Sequence, residues 1–414
     1  MSHRQLFLDH LAQTSSTPLL LEIESAEGIY MFDTEGKRYL DLISGIGVST
    51  VGHRHPKVVK AIKDQVDHHL HVMVYGEFIQ SPQVQLATAL TNTLPEHLNS
   101  VYLLNSGSEA IEGALKLAKR YTGRQKVLAC ENAYHGSSHG ALSLTGSEEF
   151  KQNYRPLLPG ISHIRHGEIE DLQFITNETA AFFIETVQGE AGVKEASKEY
   201  WQAVREKCNQ TGTLLILDEI QCGFGRTGYL WAFERYGIVP DILTCAKGMG
   251  GGMPIGAFIA NQQVLSVLTE NPVLGHISTF GGHPVSSASA LAALTVLQEE
   301  ELIPQVAAKE QLFHSLLQHE KIKEVRSCGL LMAAEFESYE VVKPIIDRAI
   351  ELGVVTDWFL FNDRSMRIAP PLTITEAQIR EACTIILKAI DLSKEKNDQI
   401  QTDAKQVITE EFVL

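Results

Sequence analysis

The 414-residue chain has no apolar run that approaches membrane-spanning length, and its start, Met-Ser-His-Arg-Gln-Leu, lacks the apolar core of a signal peptide. Nor does it carry a basic patch. Its net charge of −16 at neutral pH argues against nucleic acid or an anionic membrane as a partner. The six cysteines, at positions 130, 208, 222, 245, 328 and 383, show no CxxC spacing and several lie in apolar runs, so they read as reduced thiols and the cytoplasm is the expected compartment. His53 and His55, followed by His68, His69 and His71, have no carboxylate or cysteine arrangement to complete a ligand set, and no metal is expected. Internal repeats and low-complexity segments are missing too, although the polar tail from Ser393 is placed to extend beyond the globule. These absences leave an acidic enzyme-like chain, long enough for a large α/β domain with a smaller companion.

What is present is organised around residues 214 to 259. Leu214-Leu215-Ile216-Leu217 is apolar on both faces, which reads as a buried parallel strand with Asp218 at its carboxyl end, where open α/β sheets bind ligands. A second apolar run, Ile242 to Cys245, leads to Lys247 at a separation suited to a crossover to the neighbouring parallel strand. Asp218 and Lys247 are therefore expected to face one crevice. Pyridoxal phosphate needs such a pair: a lysine to hold its aldehyde as a Schiff base and an acid to keep its ring nitrogen protonated. An opposite charge at about 4 Å, at an effective dielectric of about 20, contributes roughly 4 kcal/mol gross, or about three pK units. Taken alone, an aspartate and a lysine read as an ordinary buried ion pair; only further parts of the same apparatus reverse that.

Such parts are present. A strand at 101–104 runs into Asn105-Ser106-Gly107-Ser108-Glu109 and then a helix with Ala110, Ile111, Ala114, Leu115 and Ala118 on one face. A small-residue loop opening a helix offers free amides, hydroxyls and the positive dipole end to a phosphate, and it reads equally as a plain N-cap. The strand 126–130 delivers Tyr134, an aromatic able to cover a flat ring, followed by His135-Gly136. The strand 180–185 brings Glu185, Gln188, Gly189 and Glu190 to the same rim. Two rival motifs fail. Gly223-Phe224-Gly225-Arg226-Thr227-Gly228 has dinucleotide-loop spacing, but four residues separate it from the strand and bulky Tyr229-Leu230-Trp231 follow. The glycines at 248–252 lack the Gly-Lys-Ser/Thr register of a phosphate loop.

With these motifs in order, the chain resembles a class III aminotransferase, the pyridoxal-phosphate fold-type-I group that includes ornithine, acetylornithine and 4-aminobutyrate aminotransferases. The resemblance rests on Asn-Ser-Gly-Ser-Glu-Ala at 105–110, Tyr-His-Gly at 134–136, Glu-Thr-Val-Gln-Gly-Glu at 185–190, Asp-Glu-Ile-Gln-Cys-Gly-Phe-Gly-Arg-Thr-Gly at 218–228, Ala-Lys-Gly at 246–248, Ser-Thr-Phe-Gly-Gly at 278–282 and Arg-Ile-Ala-Pro-Pro-Leu at 367–372. It implies a large domain with a mostly parallel central sheet at 60–300, and a smaller α+β domain built from 1–59 and 301–414. It implies Lys247 as the Schiff-base lysine and Asp218 as the partner of the ring nitrogen. Ile220 would pack under the ring opposite Tyr134, and Gln221 would reach the phenolic oxygen. Ser106, Gly107 and Ser108 would hold the phosphate with His135 nearby, and Thr279 would come from the other subunit of a homodimer.

For substrate, the resemblance implies that Arg367 grips a carboxylate while Glu190 pairs with it when an ω-amine substrate must avoid it. The expected reaction is a ping-pong transfer of an ω-amino group, from a donor such as acetylornithine, ornithine or 4-aminobutyrate, to a keto acid such as 2-oxoglutarate. A mutase or racemase of the same fold, or a pyruvate-using ω-transaminase, is the alternative. One departure falls at Ser137, where those enzymes usually place an arginine for the substrate's other carboxylate. A hydroxyl does not replace a paired charge. Arg165 or a histidine is left to compensate; otherwise the donor lacks a carboxylate at that end, or the acceptor is a short keto acid.

Overall fold

A computed structural model describes residues 2–74 and 76–410, with the side chains of 394–410 outside the description. Its centre is a seven-stranded sheet in the order Ser100–Leu104, Gly256–Ala260, Ile242–Cys245, Leu214–Asp218, Thr179–Glu185, Lys126–Cys130, Ile161–Ile164. Six strands run parallel, and Gly256–Ala260 alone is reversed between its two neighbours. The strand Leu214–Asp218 shows why its sequence is apolar throughout: Leu215 and Leu217 enter one hydrophobic cluster and Ile216 the other. On the first face lie Tyr200, Trp201 and Val204 of the helix Lys198–Thr211; on the second lie Ile111, Ala114, Leu115 and Ala118 of the helix Gly107–Thr122. A strand buried on both faces has no solvent side on which polar residues could alternate.

Two smaller sheets accompany it. The first pairs Ile23–Glu27, Tyr30–Asp33 and Arg38–Asp41 with Val354–Val355, so that the amino- and carboxyl-terminal parts of the chain share one sheet through Val354↔Leu40 and Val355↔Asp41. The second orders Glu324–Cys328, Leu331–Glu335, Asn362–Ile368 and Trp358–Phe359 as antiparallel neighbours. The helix Pro284–Glu299 packs against Pro56–His68 and Ser81–Thr91.

The strand Ile23–Glu27 takes its register from pairing with Tyr30–Asp33, and Leu20 before it sits at a left-handed φ of 54°. The last helix runs over Glu376–Glu410. The six cysteines are free and buried. Among the described residues no helix is long and apolar enough to cross a membrane, and no group of three or more His, Cys, Asp or Glu is placed to hold a metal ion.

Candidate active site

A cavity of about 450 Å³ opens at the carboxyl ends of the parallel strands, within the size range of small-molecule sites. Ser106, Gly107, Ser108, Tyr134, His135, Asp218, Ile220, Gln221, Lys247 and Glu190 all line it. The register explains part of the convergence: Glu185 stands opposite Asp218, and Asp218 opposite Thr244, three residues before Lys247. After Cys245 the chain turns through Lys247 at a φ of 48°, a sparsely populated conformation for a side-chain-bearing residue.

Asp218 is 4 % exposed. Its Oδ1 accepts the Ile220 amide at 2.9 Å, and its Oδ2 lies 2.7 Å from His135 Nδ1. The other nitrogen of that histidine, Nε2, is buried without a partner. Burial lowers the pKa of the Lys247 amine and outweighs the attraction of Glu190. The Glu185 carboxyl is pushed well up by burial and by the charge of Asp218, although it accepts the amides of Tyr134 and Gly189. Glu219, next to Asp218, is raised to about 7 by burial while it accepts from Thr186 Oγ1 and the amides of Ala232 and Phe233.

The loop before the helix Gly107–Thr122 satisfies both readings of its sequence. Ser106 is the N-cap, its Oγ accepting the Glu109 amide at 3.2 Å. The amides of Gly107 and Ser108 lie in the first turn, where the helix itself offers no acceptor. A Cβ at Gly107 would stand 2.9 Å from Ile220 Cδ1, so glycine keeps loop and wall together. Ser108 Oγ accepts the Ser137 amide and keeps its own hydrogen. Half-buried Tyr134 leans on Phe361, with ring centroids 6.4 Å apart, and Phe361 stands edge-on to Phe150.

Glu190 and Arg367 form a bidentate pair, NH1 to Oε1 at 2.8 Å and NH2 to Oε2 at 2.9 Å. Burial works to raise the Glu190 carboxyl, but the charge and hydrogen bonds of Arg367 hold it down at about 2. Gln221 Nε2 donates to Glu190 Oε1 at 3.1 Å, and its Oε1 is buried without a partner. Thr279 is exposed and is not among the cavity's lining residues; its carbonyl accepts from His71 Nε2. Arg165 is tied to Asp171 by two hydrogen bonds from its guanidinium, and neither it nor Ser137 is among the cavity's lining residues. Asp357, which accepts from Arg367 Nε at 2.8 Å, escaped sequence reading. It lies between two apolar runs, and only the tertiary pairing of Trp358–Phe359 with Asn362–Ile368 brings it to Arg367.

The donor set fits pyridoxal phosphate. Unused helix amides and a serine hydroxyl suit the phosphate, a buried carboxylate suits the ring nitrogen, a partnerless Gln221 oxygen suits a hydroxyl, and a deprotonation-prone lysine suits the aldehyde.

Comparison with known proteins identifies the family. The family model of class-III aminotransferases matches residues 11–390. Putrescine aminotransferase of Pectobacterium atrosepticum is 40 % identical over 91 % of this chain and 82 % of its own length. Acetylornithine aminotransferase of Methanopyrus kandleri is 37 % identical over 93 % of this chain and 97 % of its own. The crystal structure of ornithine aminotransferase from Toxoplasma gondii ME49 superposes with a TM-score of 0.89 at 30 % identity, covering 96 % of this chain and 97 % of that one. The chain belongs to the class-III aminotransferases, fold-type-I enzymes that work with pyridoxal phosphate.

Proposed function

We propose that this aminotransferase takes an ω-amino group from an amino acid or a diamine and passes it to a keto acid, 2-oxoglutarate first among them. The observation that carries this reading is the Glu190–Arg367 pair at the cavity wall. Arg367 is permanently charged and forked to match a carboxylate, while Glu190 covers that fork with a carboxylate of its own. With Glu190 in place the Arg367 fork is covered, which favours an amine donor entering with its ω end. With Glu190 displaced, the fork is open to the α-carboxylate of a keto acid. One pocket then serves both halves of a ping-pong cycle.

Bound pyridoxal phosphate supplies an electron-accepting ring that stabilises negative charge on the carbon carrying the amino group. The residues of the chain divide the remaining work. Lys247 would hold the aldehyde and, as a free amine, would move the proton at the substrate carbon; burial lowers its pKa, which suits a base. Asp218, oriented by His135 and the Ile220 amide, keeps the ring nitrogen protonated. Gly107 and Ser108 anchor the phosphate, with Ser106 holding their loop as N-cap. Ile220 and Tyr134 would bound the ring, and Gln221, whose Oε1 is buried without a partner, would meet its hydroxyl.

Thr279 joins the phosphate of the partner subunit in a homodimer. Its exposure supports this, as do exposed Phe78, Ile79, Val273, Leu274, Ile277 and Phe280, which lie on two segments that meet where His71 packs on Phe280 at 5.0 Å. The cytoplasm is the compartment that six buried free thiols suit.

Ser137 favours a second reading within the same reaction, a donor without a distal carboxylate or a short acceptor such as pyruvate. An amine panel with 2-oxoglutarate and with pyruvate, assayed for glutamate and alanine, decides between them. New glutamate from ω-amino acids supports the first reading, and alanine in its place supports the second. Product formed without any keto acceptor contradicts both.

A further inference from the structure

Arg367 is held from more sides than the exchange of Glu190 for a substrate carboxylate requires. Three of its supports come from its own hairpin. Asp357 Oδ1 accepts from Nε at 2.8 Å, the Trp358 carbonyl accepts from NH2 at 3.2 Å, and the Phe359 ring lies under the guanidinium at 4.5 Å. The backbones lock the same segments, since the Arg367 amide donates to the Asp357 carbonyl at 2.8 Å and Thr356 Oγ1 donates to the Arg367 carbonyl at 2.6 Å. Among the described residues, Glu190 is the side chain that reaches the guanidinium from a different part of the chain, and it occupies the NH1/NH2 edge.

We infer that Asp357 is a positioning residue for the keto-acid half-reaction: it fixes Arg367 through Nε, so that the NH1/NH2 fork keeps its aim when Glu190 leaves. This rests on the reading of Arg367 as the carboxylate site. A guanidinium has one Nε–H and two terminal nitrogens, so a carboxylate on Nε leaves the parallel pair of N–H bonds on the opposite edge free for exchange. Without Asp357, Arg367 would follow Glu190 as it moves, or turn toward another acceptor, and the fork would have to be re-formed for each keto acid. Because among the described residues Asp357 makes no hydrogen bond to Glu190 or to the coenzyme-facing residues, its loss should spare the amine half-reaction.

The test compares Asp357→Ala, Asp357→Asn and Arg367→Ala in the holoenzyme. Donor and acceptor KM and kcat are measured separately, along with the affinity for glutarate, a non-reacting dicarboxylate, read from the coenzyme absorbance. Asp357→Ala should raise the acceptor KM and the glutarate Kd about tenfold, as expected for one lost charge-assisted contact, with the donor KM and kcat within about twofold of the parent. Asp357→Asn, whose amide oxygen still accepts the Nε–H, should restore both constants to near the parent values. The inference is overturned if Asp357→Ala leaves the acceptor KM unchanged, if donor and acceptor are affected equally, or if Asp357→Asn is as damaging as Asp357→Ala. Arg367→Ala separates the two levels. If it raises the acceptor KM while Asp357→Ala does not, only the positioning role fails; if it changes nothing, the carboxylate site itself is misassigned and the positioning role falls with it.

Discussion

Asp218 and Glu190 show how far single side chains account for the chemistry. Replacing Asp218 by Asn keeps an acceptor for the Ile220 amide but removes the charge that, in the proposed mechanism, holds the ring nitrogen protonated. The contribution of about three pK units predicts a kcat about a thousandfold lower, with the coenzyme's visible band retained because Lys247 and the phosphate loop are untouched. Steady-state assays beside an absorbance spectrum check both halves of that statement. Glu190 carries a pH signature. Its folded-state pKa is depressed from 4.5 to about 2, so its stabilising contribution is fully present above 4.5 and is lost as pH falls toward 2. The stability difference between the parent and Glu190→Gln should therefore shrink by on the order of 3 kcal/mol across that interval in denaturant titrations. A difference independent of pH would contradict the pairing. Asp218 and Lys247 were legible in the sequence because each follows an apolar run that can only be a buried strand. Asp357 was not, because its partner depends on a hairpin register that no local pattern encodes.

At the level of elements, the long buried strands were easy to read and the short ones were not. Val354–Val355 is a strand only because it lies beside Arg38–Asp41, more than three hundred residues earlier, and Trp358–Phe359 only because Asn362–Ile368 folds back on it. Tertiary context, not propensity, makes such segments. The reversed strand Gly256–Ala260 has a role that its sequence did not announce. A Cβ on Gly256 would stand 2.2 Å from the Ser106 carbonyl oxygen and 2.6 Å from its carbon, which are backbone atoms of the loop that carries the phosphate-facing amides. Gly256→Ala should push that loop away, lowering stability by about 1–3 kcal/mol and weakening retention of the coenzyme. Thermal melts and dialysis against coenzyme-free buffer measure the two effects. A variant that melts lower yet holds the coenzyme as tightly as the parent would show that the loop does not depend on this contact.

For the whole molecule, the claim with most at stake is that each site is completed by a second copy. Lys247 lines the cavity of its own chain and Thr279 does not, so two defective variants should complement one another. In a mixture of Lys247→Ala and Thr279→Asp chains that have exchanged subunits, each mixed dimer has one site with both native residues. Twofold symmetry then predicts recovery of about a quarter of the parent activity. If activity does not rise above the sum of the separate variants, the shared site is wrong. The shared site in turn depends on the coenzyme. The most direct measurement is to reduce the purified protein, incubated with pyridoxal phosphate, with sodium borohydride and to map the modified peptide by mass spectrometry. The account predicts a visible band that the reduction bleaches, with the pyridoxyl mass on Lys247 and no band in Lys247→Ala. Label on another lysine, or a protein that stays colourless with excess coenzyme, would contradict it.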